Sequence, residues 1–217
     1  MAQPVRLQDA RLTQYLRLFS GVFTLPQWKY FVTVLLGLVQ CDERHTLSAL
    51  LRQVAVKVTI CGLCYFLRTA KWSVDDLTAV RQAHFYAQVA PLVAAAHAAQ
   101  RACRPCQPGR PKGTVVTGYL IIDDSTHAKP YAQAQEGLGA HYSGTEKKVV
   151  NGHSLVQSVY VLEGQQFPLT PQLYRRKVTC AAEGVPFASK IGLACTEITT
   201  FEPPPDTHTH VLVDGWY

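Results

Sequence analysis

Apolar residues recur at helical spacing through the first half of the chain. This spacing predicts helices over residues 8–19, 28–39, 47–56, 60–68 and 73–100. Thr46 and Ser73 stand at positions typical of N-caps, and Pro91 should kink the last helix. We therefore expect a helical N-terminal domain over residues 1–102.

The composition changes abruptly after this helical part. Residues 103–113 contain three prolines and two glycines among several basic residues. Proline and glycine at this density interrupt regular structure, so we predict a basic linker there.

Strand patterns replace helical spacing in the second half. Residues 115–122 are apolar and β-branched, residues 154–162 and 166–174 pair as a predicted hairpin, and residues 210–214 form another short strand. A helix is expected over 186–200 and an irregular loop over 127–149. The fold class is therefore α+β or α/β, with a mixed sheet over residues 114–217.

Two of the predicted strands end in carboxylates. Asp123 and Asp124 follow the first strand, and Asp214 ends the last. Neighbouring strands lie about 4.8 Å apart, so carboxylates at adjacent strand ends can bind one cation, and oxygen ligands suit Mg²⁺ or Mn²⁺. Successive side chains of a strand point to opposite faces of the sheet, so only one of Asp123 and Asp124 can lie on the same face as a given carboxylate of the neighbouring strand. A polar turn after the strand is the competing interpretation.

Composition excludes several classes of protein. The chain has 217 residues, of which 47% are hydrophobic and 17% charged, so it is neither disordered nor collagen-like. The longest apolar run has about ten residues, whereas a membrane helix needs about 20. The N-terminus lacks the pattern of a signal peptide. We expect a cytoplasmic protein with reduced thiols and no membrane partner.

The net charge of +6 is unevenly distributed along the chain. Residues 1–112 carry 14 Lys and Arg against 5 Asp and Glu, whereas residues 113–217 carry 7 against 10. The basic first part predicts a polyanionic partner such as DNA, with a basic surface that only aids solubility as the alternative. Further candidates for phosphate contacts near the strand ends are Lys129, Lys147, Lys148, Arg175, Arg176 and Lys177.

Two C-x-x-C pairs offer a different kind of site. Cys61 and Cys64 form the first pair, and Cys103 and Cys106 form the second. Paired motifs of this kind bind zinc in many small domains. The first pair lies in an apolar helical stretch, where cysteine commonly serves as a small hydrophobic residue.

Several short motifs together resemble one protein family. In the second half they are LIIDDST (120–126), KP (129–130), EGLG (136–139), HYS (141–143), KVVNGHSL (148–155), LYRR (173–176) and VDGWY (213–217). In the first half they are LPQW (25–28), RHTLS (44–48) and FLRTAKW (66–72). With these motifs the chain resembles, over nearly its whole length, the DDE transposases of bacterial insertion sequences, in particular the IS-four-like group.

This resemblance implies a ribonuclease-H-like core, metal-dependent cleavage and strand transfer at transposon ends, and association with the nucleoid. It assigns the first two catalytic and metal-binding acids to Asp124 and Asp214, with Mg²⁺ or Mn²⁺ as cofactor in the complete enzyme. The family also has a catalytic Glu beyond the second Asp, which residues 215–217 do not supply. We therefore expect a C-terminally truncated transposase with a partial core that is inactive alone.

Two other functions remain open at this point. The first alternative is a non-catalytic DNA-binding remnant or regulator, and the less favoured one is a zinc-stabilised interaction protein. The strand that ends at Asp214 is expected at an open sheet edge, and unpaired edges favour self-association.

Overall fold

Five α-helices form the first part of the chain within the residues that the structure describes. They are α1 (Ala10–Arg17), α2 (Leu25–Gln40), α3 (Leu47–Gln53), α4 (Ile60–Arg68) and α5 (Val74–Ala102). The computed structural model describes residues 10–42, 45–56, 58–102 and 115–215. The predicted linker and the Cys103–Cys106 pair lie outside these ranges. No helix within them is long and apolar enough to cross a membrane.

Side-chain caps explain where three of these helices begin. The Thr46 hydroxyl accepts a hydrogen bond from the Ala49 N–H at 3.2 Å, and Thr59 accepts one from Gly62 at 3.1 Å. Ser73 accepts another from Asp76 at 3.0 Å. Each bond satisfies a backbone N–H that has no partner within the helix. The helix predicted over 60–68 is confirmed, and α5 continues through Pro91.

The chain divides into two compact units, Met1–His84 and Phe85–Tyr217. This boundary falls inside α5 and differs from the expected division after residue 102. The reason lies in the apolar residues of the later turns of α5. Phe85, Val89 and Val93 are buried in the core of the second unit, so these turns belong with the sheet.

The described residues of the second unit contain a six-stranded mixed sheet and two further helices. The strands are β1 (Val116–Ala128), β2 (Gly139–Ser143), β3 (Lys148–Leu162), β4 (Gln165–Pro168), β5 (Gln172–Tyr174) and β6 (Thr207–Val213). The helices are α6 (Lys177–Glu183) and α7 (Lys190–Thr200). The expectation of N-terminal helices followed by a mixed sheet is therefore confirmed.

The central strand of this sheet is β1. It pairs antiparallel with β3 on one side and parallel with β6 on the other. The far side of β3 pairs with β2, β5 and β4, all antiparallel. β1 and β6 run in the same direction, and β6 ends beside the middle of β1, where Val213 pairs with Ile122.

The structure corrects two of the predicted segments. The expected loop over 127–149 is wrong: β1 runs on to Ala128, and β2 lies within the segment. Pairing with β3 explains both, because β3 starts at Lys148 and provides backbone partners for each strand. The predicted helix over 186–200 starts only at Lys190, where the Ser189 hydroxyl caps the Gly192 N–H.

One face of the sheet carries the core of the second unit. Alternate residues of β1, among them Leu120 and Ile122, are buried on this face, together with Tyr160 from β3. Phe85 of α5 and Ala194 of α7 belong to the same cluster. The alternate positions Tyr119 and Ile121 of β1 are each 40% exposed. Alternation along β1 thus decides which of its side chains face α7.

Candidate functional site

An open cleft of about 990 Å³ lies at the carboxyl ends of β1 and β6. Its lining brings together the acids predicted at the strand ends and several cationic side chains. The charged and ionisable residues of this lining are Asp123, Asp124, His127, His141, Tyr142, Tyr174, Arg176, Lys190 and Asp214. Asp124 and Asp214, which are 90 positions apart in sequence, therefore line one cleft.

Sheet register explains how these acids approach one another. The last pair of the parallel ladder joins Ile122 to Val213, so the following residues, Asp123 and Asp214, leave the ladder together. Asp124 lies one residue further along β1, on the face that also carries Ile122. Alternation places Asp123 on the opposite face. All three acids border the cleft, but Asp124 is the one on the side of α7.

Each of these carboxylates already has a partner. Lys190, in the first turn of α7, forms an ion pair with Oδ2 of Asp124, and both side chains are about one third exposed. Asp123 Oδ1 accepts a 2.7 Å hydrogen bond from the Asp124 N–H, and Asp214 Oδ1 accepts a 2.6 Å bond from Gly215. A divalent cation bound to Asp124 would therefore compete with the Lys190 ammonium group.

This competition leads to a prediction for Lys190→Met. The variant removes the competing cation and retains an apolar stem, so the affinity for Mn²⁺ is expected to rise about two- to fivefold, in line with about 0.5–1 kcal/mol for a partly exposed ion pair. Calorimetric titration with Mn²⁺ measures the change. Lys177→Met is the control, because Lys177 lies over the Phe187 ring outside the cleft lining. An unchanged or lower affinity in Lys190→Met contradicts the prediction.

Arg176 is the one residue of the predicted phosphate-contact set that lines the cleft. Lys148 pairs with Glu146, and Lys177 lies over Phe187. Lys129 and Lys147 also lie outside the lining. The basic residues near the strand ends therefore do not form one surface inside the cleft.

Arg175 joins two acidic side chains outside the cleft lining. Its Nε donates to Glu183 at 2.9 Å, and its Nη2 pairs with Glu136. Desolvation alone would lower the pKa of Arg175, but these two carboxylates outweigh it and the pKa is raised. The Gly137 N–H donates a 2.6 Å hydrogen bond to Glu183, and this bond, with Arg175, lowers the pKa of Glu183 against the opposing effect of desolvation.

The lowered pKa of Glu183 predicts a pH-dependent contribution to stability. A depressed carboxyl pKa adds stability above the unfolded value of 4.5, and this stability is lost as the pH falls through the folded value. Glu183→Gln should therefore lower the melting temperature at pH 7 and have a smaller effect at pH 3. Thermal melts at both pH values measure this, with Glu163→Gln in the exposed β3–β4 turn as control. An equal decrease in the melting temperature of Glu183→Gln at both pH values would contradict the prediction.

His141 and Lys190 are site residues that the sequence analysis missed. His141 lies on β2, is only 7% exposed, and packs edge-on against Tyr174 at 5.8 Å between ring centroids. Burial lowers the pKa of His141, and Lys190, Arg176 and His153 lower it further. His141 could have been found from its place in the motif HYS (141–143). Lys190 could have been found from Ser189, whose N-cap position places Lys190 in the first turn of the helix.

Two carboxylates of the cleft are of the chemical type that hard divalent cations bind. Asp124 and Asp214 offer carboxylate oxygens, which Mg²⁺ and Mn²⁺ prefer over nitrogen and sulfur ligands. Within the ranges that the structure describes, no group of three or more His, Cys, Asp or Glu side chains is arranged to hold a metal ion. Cys61 and Cys64 on α4 are both free thiols.

Comparisons of the chain with protein-family models, with curated proteins and with solved structures find no match.

Proposed function

We propose that the chain is part of a DNA transposase of the DDE type, acting through metal-dependent cleavage and strand transfer at insertion-sequence ends. Asp124 and Asp214 would hold the Mg²⁺ or Mn²⁺ ion, which stabilises negative charge and activates a water molecule in phosphodiester cleavage. The catalytic core would be ribonuclease-H-like. The resemblance also implies a third catalytic acid, and Asp124 and Asp214 without such an acid would not complete the catalytic site.

The observation that carries this proposal is the shared cleft of Asp124 and Asp214. Asp214 follows the last residue of β6, and Asp124 lies in β1 just beyond the point where its parallel pairing with β6 ends, so both residues border the same cleft from distant parts of the sequence. A central strand with an antiparallel neighbour on one side and a parallel one on the other is compatible with the ribonuclease-H-like core.

A second observation supports the resemblance itself. Residues 123–126 and 141–143, from two of its motifs, line this same cleft. The motif at 148–155 begins β3, which pairs with both β1 and β2 and so holds the other two motifs together. Motifs with a shared catalytic role are expected to converge in this way, whereas accidental similarities would be scattered.

Charge supports DNA as the partner. The first half of the chain has a surplus of basic residues, and Arg176 and Lys190 bring positive charge to the cleft beside the acids. Basic groups bind the phosphate backbone and release counterions, so binding should weaken steeply with salt. A non-catalytic DNA-binding remnant remains the second candidate, because the Asp124–Lys190 pair neutralises one of the two acids in the metal-free site.

Nicking of duplex DNA in the presence of Mn²⁺ tests the proposal. The chain alone should bind DNA at low salt with at most trace nicking, and a version extended to carry a third carboxylate should nick. Asp124→Asn in the extended version should abolish nicking but keep the binding. Binding without nicking by the extended version would favour the non-catalytic candidate, and negligible binding at every salt concentration would exclude both.

A further inference from the structure

His141 is the feature of the cleft that the proposed metal chemistry does not use. Its ring is more than nine-tenths buried, yet its Nε2 atom makes no hydrogen bond. Buried polar atoms are rarely left without a partner, because each one loses its contacts with water. A ligand in the cleft that accepts or donates a hydrogen bond would satisfy this nitrogen.

Arg176 borders the same small space as this nitrogen. A Cβ atom placed on Gly139 would lie 3.2 Å from Nε2 of His141 and 3.5 Å from Cδ of Arg176, so both side chains flank one point above Gly139. The Arg176 side chain is exposed and forms no ion pair or hydrogen bond with any residue that the structure describes. The neighbouring Arg175, in contrast, forms ion pairs with both Glu136 and Glu183.

The first turn of α7 supplies a third positive group. Ser189, Lys190 and Ile191 line the cleft at the beginning of this 11-residue helix. The Ser189 hydroxyl caps the Gly192 N–H. The N-terminal end of a helix carries partial positive charge and favours anions, and the Lys190 ammonium group adds a full charge beside it.

We propose that His141, Arg176 and Lys190, together with the first turn of α7, bind one phosphate group of a nucleic-acid backbone beside Asp124 and Asp214. The assignment of this phosphate to a nucleic acid rests on the proposed function. Guanidinium groups bind phosphate through paired hydrogen bonds, and the His141 ring donates one more. The subsite would hold a phosphodiester close to the two carboxylates.

Titration with inorganic phosphate in the absence of metal tests the subsite directly. The ring nitrogens of His141, followed by NMR, should shift in a saturable way as phosphate is added. Gly139→Ala should weaken binding about tenfold, because the methyl group fills the space between His141 and Arg176 without changing any charge. Arg176→Gln should weaken it about tenfold as well.

Two controls separate a defined subsite from general electrostatic attraction. Lys148→Gln and Lys177→Gln each remove one positive charge outside the cleft lining and should leave phosphate affinity within about twofold. Arg176 is exposed, so Arg176→Gln should fold even if Gly139→Ala does not. The absence of a saturable shift, or equal losses in Arg176→Gln and Lys177→Gln, would overturn the proposal.

Binding of a short duplex without metal identifies the source of the phosphate. Inorganic phosphate should compete with the duplex, and Arg176→Gln should weaken duplex binding and reduce its salt dependence by about one counterion. Duplex binding that is insensitive to Arg176→Gln would overturn the assignment to nucleic acid. These measurements need neither metal nor nicking. Failure of the phosphate subsite can therefore be distinguished from failure of the proposed nicking function.

Discussion

Asp124→Asn is expected to lower the affinity of the chain for Mn²⁺ by about 100-fold, and Asp214→Asn is expected to have an effect of similar size. Each change replaces a charged oxygen ligand by a neutral amide of the same shape, and the proposed site takes one such ligand from β1 and one from the end of β6. A loss of this size corresponds to about 2.7 kcal/mol. Calorimetric titration with Mn²⁺ measures it.

Two further variants make this measurement specific. Glu163→Gln, in the turn between β3 and β4, removes an exposed carboxylate far along β3 from the cleft and should leave the affinity unchanged. Asp123→Asn distinguishes the two adjacent acids, because the register places Asp123 beside Asp214 whereas Asp124 lies on the α7 face. A larger loss in Asp123→Asn than in Asp124→Asn would contradict the assignment of Asp124.

Gly118→Ala is expected to destabilise the second unit by about 1–3 kcal/mol. A Cβ atom at this position of β1 would lie 2.0 Å from Oη and 2.4 Å from Cζ of Tyr160. Tyr160 is fully buried and packs edge-on against Phe85, so its ring has little room to move away. Chemical denaturation measures the change in the free energy of unfolding.

The matched control for this substitution is Gly144→Ala. No atom lies within 4 Å of a Cβ placed on Gly144, so this variant should stay within about 0.5 kcal/mol of the parent. An equally stable Gly118→Ala variant would mean that Tyr160 does not lie against β1 as described.

The helices were predictable where local chemistry determines them. Thr59 and Ser73 cap their own helices through neighbouring backbone groups, so sequence spacing alone located α4 and the start of α5. The end of β1 and the whole of β2 were missed because they depend on pairing with β3. Long-range pairing of this kind leaves little trace in local hydrophobic patterns.

The candidate site could be predicted from the sequence only in part, again because part of it depends on long-range pairing. Asp124 and Asp214 each follow a run of apolar strand residues, a pattern that is visible in the sequence and that the shared cleft fits. His141 was missed with β2, and Lys190 was missed because the helix was expected to begin at Pro186, which placed Lys190 inside it. Its position in the first turn of α7 brings it to Asp124.

Anomalous diffraction from crystals grown with Mn²⁺ locates a bound ion directly. We expect one peak at the carboxyl ends of β1 and β6, with oxygen atoms of Asp124 and Asp214 about 2.0–2.4 Å from it and the Lys190 ammonium group moved away from Asp124. An empty cleft at saturating Mn²⁺, or an ion bound by only one of these two residues, would contradict the shared metal site.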